Sequence, residues 1–153
     1  MSALLPYVCS LIACAAAAVS DLRTRRIPNT IPLALALFGV TFNVFGGWRL
    51  ALSAVAAGIL VLVVGTLPFS LGALGGGDVK LLAACGCVFG LSELLPLVVY
   101  TALIGGAVAL VFLVLRRISG TKERVRLPYA IAIAGGVLWI SLANTALPHL
   151  KIV

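Results

Sequence analysis

Charged residues are scarce in this sequence. They make up 10% of the 153 residues, whereas hydrophobic residues make up 63%, and the mean hydropathy is +1.25. Soluble domains carry about 25% charged residues, so this composition excludes an ordinary soluble domain. The sequence instead predicts an integral membrane protein, with residues 1–153 forming a single membrane domain of packed helices.

Groups that bind metals are also rare. The only histidine, His149, lies near the C-terminus, which leaves a His-based catalytic triad or a histidine metal site without support. The four cysteines lie inside apolar segments and lack the spaced Cys/His pairs of a zinc site. We therefore predict no metal and no cofactor. The net charge of +7 does not predict nucleic-acid binding, because the basic residues lie in short loops between apolar runs.

Apolar segments of membrane-spanning length recur along the chain. A helix needs about 20 residues to cross a bilayer. Five segments meet this length, namely residues 4–20, 31–48, 50–69, 94–115 and 127–147. A sixth segment, residues 79–91, is short enough to be either a re-entrant piece or a short helix buried among its neighbours.

The distribution of basic residues decides between these two alternatives. If residues 79–91 cross the membrane, nine of the eleven lysines and arginines lie on one side, which is a strong positive-inside bias. The sequence therefore predicts an all-α bundle of six transmembrane helices. The N-terminus is expected outside, with the loops that carry basic residues on the cytoplasmic side.

Asp21 and Asp78 are the only two aspartates, and each lies where an apolar segment meets a polar one. The predicted topology places both on the cytoplasmic side. Ionisable residues at the membrane edge indicate function by default. Asp78 follows three consecutive glycines, which permit positive φ and close backbone approach at a helix start. Asn29, after Ile27 and Pro28, is expected to cap the second helix.

Two carboxylates that share one site cannot both ionise easily, so the pair holds one proton. The ionised member can take a proton from a water molecule that attacks a peptide carbonyl, while the protonated member donates to the developing oxyanion. If Asp21 and Asp78 form such a pair, they can hydrolyse a peptide bond without a metal or a covalent intermediate.

Two stretches carry a family resemblance: residues 21–29, with sequence DLRTRRIPN, and residues 75–80, with sequence GGGDVK. Together with the weaker match LPYA at residues 127–130, they resemble the bacterial type IV prepilin peptidases, particularly the short members that process Flp-type pilins. The resemblance implies an intramembrane aspartic endopeptidase of the GxGD type. It would remove a basic leader from prepilins or pilin-like proteins at the cytoplasmic membrane face.

The resemblance also implies roles for particular residues. Asp21 and Asp78 are the expected catalytic pair, and Gly75 and Gly77 are the supporting loop. The basic residues of these stretches are interpreted first as topological anchors and second as contacts to the substrate; they are Arg23, Arg25, Arg26 and Lys80. Larger family members carry a cysteine-rich insert and methylate the new N-terminus. This chain has no such insert, so methyltransferase activity is not predicted.

Three other interpretations remain open at this point. A proton-coupled transporter or channel subunit would use Asp21 and Asp78 as proton carriers. A presenilin-like protease also uses GxGD but favours a Pro-Ala-Leu motif that this chain lacks. A noncatalytic scaffold of a secretion or pilus-assembly machine would have no need of paired aspartates.

Overall fold

The computed structural model describes residues 4–24, 26–72, 74–119 and 129–146. Within these ranges the chain forms six α-helices and no strand, as the sequence predicts. The helices are α1 (Leu5–Thr24), α2 (Thr30–Gly46), α3 (Trp48–Ser70), α4 (Gly76–Phe89), α5 (Leu94–Ser119) and α6 (Tyr129–Ala146). A single residue, Gly47, joins α2 to α3 with a φ of 121°, a backbone conformation that favours glycine.

Three helices are long and apolar enough to cross a membrane on length and composition, over Leu5–Thr24, Trp48–Ser70 and Leu94–Val111. Two further apolar helices, Thr30–Gly46 and Tyr129–Asn144, are shorter. Many large apolar side chains on these helices are exposed, as is typical of surfaces that face lipid. The chain is therefore a multi-pass, all-α membrane protein.

Helix α4 runs the length of the bundle, although it is short. Its first turn lies against Ile27, which follows the end of α1. Its last turn lies near the start of α1, where the rings of Tyr7 and Phe89 are 5.6 Å apart. We call the first of these two ends of the bundle the aspartate end, and the second the opposite end. Because α4 passes from one to the other, it does not turn back on itself.

Helix α4 is also the best-buried helix, packed mainly against α2 and α3. Its small residues allow this close packing, as is common in membrane bundles. A Cβ added at Gly39 of α2 would lie 2.7 Å from backbone atoms of Cys87, and one added at Gly86 would lie 3.3 Å from the Ala57 carbonyl oxygen of α3. Asn43 strengthens the same contact by donating to the carbonyl of Val88, at 3.0 Å.

The connection between α1 and α2 is ordered by side chains of α1. Ser20 Oγ donates to the Arg26 carbonyl at 2.9 Å, and Thr24 Oγ1 lies 3.1 Å from the same oxygen. The prediction that Asn29 caps α2 is wrong in its detail. Asn29 occupies the N-cap position, but it has αR backbone angles and its side chain makes no capping hydrogen bond. Its Oδ1 instead accepts a hydrogen bond from Lys80 Nζ at 3.0 Å.

Candidate active site

Asp78 lies in the first turn of α4 and is buried, with 9% of its surface exposed. Its Oδ2 accepts a hydrogen bond from the backbone N–H of Gly75 at 3.2 Å. The carboxylate thus reaches back to the residue before the helix, as in the acidic half of a capping box. The positive end of the helix dipole also favours an acidic group here. Local structure therefore fixes one carboxylate at the aspartate end.

The glycines before Asp78 allow neighbouring atoms to approach closely, and they do not adopt positive φ. Gly75 has a φ of −76°, and Gly76 and Gly77 are already helical, so that part of the sequence-based expectation is wrong. A Cβ at Gly75 would lie 2.7 Å from Asp78 Oδ2, and a Cβ at Gly77 would lie 3.0 Å from Ile27 Cβ. Side chains at these two positions would displace the carboxylate or push α4 away from the end of α1.

Asp21 lies one turn before the end of α1 and is only partly buried. The residues that flank it, Ser20 and Thr24, hold the chain that leaves the helix. Neither residue stood out in the sequence, because a serine and a threonine near a helix end are common and carry no signal of the carbonyl they bind. Asp21 thus lies on a helix end whose direction is well fixed.

The packing of α1 against α4 relates the two aspartates. Cys14 Sγ and Cys85 Sγ are 3.7 Å apart in the core between these helices. Asp21 lies seven residues after Cys14, and Asp78 lies seven residues before Cys85. Seven residues rise about 10.5 Å and fall about 20° short of two full turns. Because the two helices run in opposite directions, ideal helix geometry predicts that both aspartates lie at about the same level on facing sides.

Tyr129, the first residue of α6, is another side chain at the aspartate end of the bundle. It lines an apolar groove together with Pro68 of α3 and with Leu74, which lies four residues before Asp78. The tyrosine ring lies against Gly105 of α5, where an added Cβ would be 2.9 Å from Cζ. Only the weak LPYA match pointed to this residue in the sequence, and its Leu127 and Pro128 lie outside the described residues. The start of α6 therefore lies at the aspartate end of the bundle.

The basic residues predicted to flank the site are found in different places. Arg23 and Arg26 are exposed on either side of the end of α1, and Arg25 lies outside the described residues. Lys80 is exposed and bonded to Asn29. Since it lies two residues beyond Asp78, its side chain points to the opposite side of α4. Among the residues described, no three His, Cys, Asp or Glu side chains come together as a metal would require.

Comparison with known proteins places this arrangement in a family. Residues 8–110, which include both aspartates, match the type IV leader peptidase family. The chain belongs to the type IV leader peptidase family. This confirms the resemblance carried by the two aspartate motifs.

One similar protein of this family is the prepilin leader peptidase/N-methyltransferase of Bacillus subtilis (strain 168). It is 33% identical over 122 residues, which cover 78% of this chain and 48% of that protein. The chain thus spans about half the length of this curated relative. No solved structure matches the chain.

Proposed function

We propose that this family member is an intramembrane aspartic endopeptidase that removes the basic leader from prepilins or pilin-like proteins, with Asp21 and Asp78 as its catalytic pair. The observation that carries the proposal is the α1/α4 register. From this register we expect the only two aspartates of the chain to lie at one level on facing helices, each at the border of an apolar segment. Family membership supports the same chemistry.

The two carboxylates act as one acid and one base. The ionised member accepts a proton from water while the water oxygen forms a bond to the carbonyl carbon of the substrate. The other member donates its proton to the carbonyl oxygen. The C–N bond of this intermediate then breaks as its nitrogen takes the proton held by the first member, and the second member takes back a proton from a hydroxyl of the intermediate. The shared proton belongs to the pair and not to either residue.

The substrate class follows from where the site lies. A single-span protein presents the peptide before its apolar helix at the membrane border, which is the level of the two aspartates. Arg23 and Arg26 are exposed beside Asp21 and are candidates to bind an acidic group near the cleaved bond. We propose the cytoplasmic face of the bacterial inner membrane for this border, since nine of the eleven basic residues lie on that side of the predicted topology.

Flp-type prepilins are the proposed substrates, because the DLRTRRIPN and GGGDVK stretches resemble the short peptidases that process them. The same resemblance suggests a pilus-assembly machine as a neighbour in the membrane. Methyl transfer to the new N-terminus is not part of the proposal.

The deciding experiment is cleavage by the purified full-length protein in liposomes. The substrate is a synthetic peptide with a short basic leader, a glycine and an apolar helix of about 20 residues. Mass spectrometry is expected to find a single cut ahead of the helix. A proton flux across the same liposomes, with no product, would instead indicate the transporter that the paired aspartates also allow.

A further inference from the structure

Two apolar grooves run along the bundle, one on each side of α3. The first lies between α2 and α3 and has a volume of about 400 Å³. The second lies between α3 and α5 and has a volume of about 560 Å³. We call them the α2/α3 groove and the α3/α5 groove. Side chains of α4 form part of the lining of both, so each groove uses a different face of the helix that carries Asp78.

The face of α4 distinguishes the two grooves. Leu82 lines the α3/α5 groove and lies one turn beyond Asp78, about 40° around the helix from it. Lys80 and Cys87 line the α2/α3 groove and lie about 160° to 180° around the helix from Asp78. The α3/α5 groove therefore shares the face of Asp78, whereas the α2/α3 groove lies on the other side.

The α3/α5 groove also leads to the site along its length. At the opposite end of the bundle it is lined by Leu91 and Leu94. At the aspartate end it is lined by Pro68, Leu74 and Tyr129, and Leu74 lies four residues before Asp78. The groove is thus mainly apolar along α4, with Thr101 of α5 as a polar side chain in its wall, and it ends beside the segment that leads into Asp78.

Small residues shape the walls of this groove. Gly65 of α3 and Ala102 of α5 both line it. Membrane helices associate through van der Waals packing against small residues, which let two backbones approach closely. A groove with small residues in both walls is suited to receive a helix.

These features match one occupant. We propose that the α3/α5 groove binds the apolar membrane helix of the substrate, so that the peptide ahead of that helix lies at Asp78. This inference rests on the proposed function and identifies how the same site selects a membrane-inserted substrate. The match is one of polarity: an apolar helix with a polar junction at one end fits a mainly apolar groove that ends at Tyr129 and at the segment leading into Asp78. A lipid chain in the groove is the competing occupant.

Two neighbouring positions of α3 allow a matched test. Val64 lines the α3/α5 groove and Leu62 lines the α2/α3 groove. Both side chains are exposed, at 54% and 44%, and they differ in depth by only about 3 Å. A photoreactive benzoylphenylalanine is placed at one position or the other in full-length protein that carries Asp78→Asn. The probe is the synthetic leader–glycine–helix peptide in liposomes.

Crosslinking to the peptide is expected to be on the order of tenfold stronger from position 64 than from position 62, because only one wall contacts the helix. Equal crosslinking, stronger crosslinking from position 62, or crosslinking of position 64 to lipid alone would overturn the inference. Cleavage by the wild-type protein is measured separately. If the wild type does not cut the peptide, the proposed function fails. If it cuts while position 64 stays uncrosslinked, only the groove assignment fails.

A second readout uses activity. Val64→Trp is expected to raise the KM for the same peptide by on the order of tenfold, since the larger side chain keeps the substrate helix from packing. Leu62→Trp is expected to leave KM unchanged. The reverse order of the two effects would contradict the assignment.

Discussion

The two faces of α4 are similar in hydropathy and different in use. One face carries Asp78 and Cys85, which lie toward α1, and Leu82, which lies in the α3/α5 groove. The other carries Lys80 and Cys87, which lie toward α2 and α3. Under the proposed function the first face holds the chemistry, whereas the second packs the helix against α2 and α3. The comparison teaches that the two faces of α4 are distinguished by the position of Asp78 in the helical turn, and not by their apolar content.

The largest expected effect separates the aspartates from other carboxylates. Asp21→Asn or Asp78→Asn is expected to lower kcat for leader cleavage by about 10³-fold or more, because each removes one member of the acid/base pair. Glu93→Gln is the matched control, since Glu93 follows α4 at the opposite end of the bundle. The three variants and the wild type are compared by product formation in liposomes, after membrane insertion is verified. Normal cleavage by either aspartate variant would contradict the assignment.

A smaller loss is expected when the carboxylate is moved and not removed. Gly75→Ala places a Cβ 2.7 Å from Asp78 Oδ2, so the side chain must shift. A misplacement of about 1 Å can cost on the order of 10²-fold in rate, and we expect kcat to fall by roughly 10- to 100-fold. Gly106→Ala serves as the control, because an added Cβ there meets nothing within 4 Å. Equal kcat values for the two variants would show that Gly75 does not constrain Asp78.

The other face of α4 is expected to affect stability without affecting the chemistry. Gly39→Ala would place a Cβ 2.7 Å from backbone atoms of Cys87 and Val88, which cannot move as a side chain can. The free energy of unfolding is expected to fall by about 1–3 kcal/mol. Thermal unfolding in detergent measures this loss, while kcat of the folded fraction stays at the wild-type value. A fall in kcat without a fall in melting temperature would contradict the assignment of this face to packing alone.

The smallest effect is expected at Lys80. Its side chain is exposed and donates one hydrogen bond to Asn29, so Lys80→Ala should change the free energy of unfolding by no more than about 1 kcal/mol. Because it lies on the face away from Asp78, the KM for the leader peptide should also stay unchanged. Arg23→Ala, beside Asp21, is the comparison. A rise in KM for Lys80→Ala as large as that for Arg23→Ala would restore Lys80 as a substrate contact.

Part of this structure could be read from the sequence. Hydropathy and the distribution of basic residues predicted six helices, including the short α4. The two aspartates stood out because ionisable residues at a membrane border are rare. The sequence could not predict which helices pack together, since lipid-facing positions and core positions both carry apolar residues. For that reason neither groove could be predicted.

The predictions that were wrong concern residues that can take either of two structural roles. Asn29 can cap a helix or accept from a lysine, and only the position of Lys80 on a neighbouring helix decided between them. Gly75 can serve positive φ or close approach, and only the contact with Asp78 Oδ2 decided that. The position of Tyr129 at the aspartate end likewise depends on the placement of α6. Asn29 and Tyr129 thus depend on helices far away in the sequence, whereas Gly75 depends on the position of a side chain three residues away.

The facing arrangement of Asp21 and Asp78 is the central claim, and crosslinking tests it most directly. The four native cysteines are replaced, and Asp21→Cys is combined with either Asp78→Cys or Lys80→Cys. A short thiol-specific crosslinker is added to the protein in membranes. We predict that the combination with Asp78→Cys crosslinks and that the combination with Lys80→Cys does not, since Lys80 lies on the other face of α4. Crosslinking in the combination with Lys80→Cys, and not in the combination with Asp78→Cys, would contradict the facing arrangement.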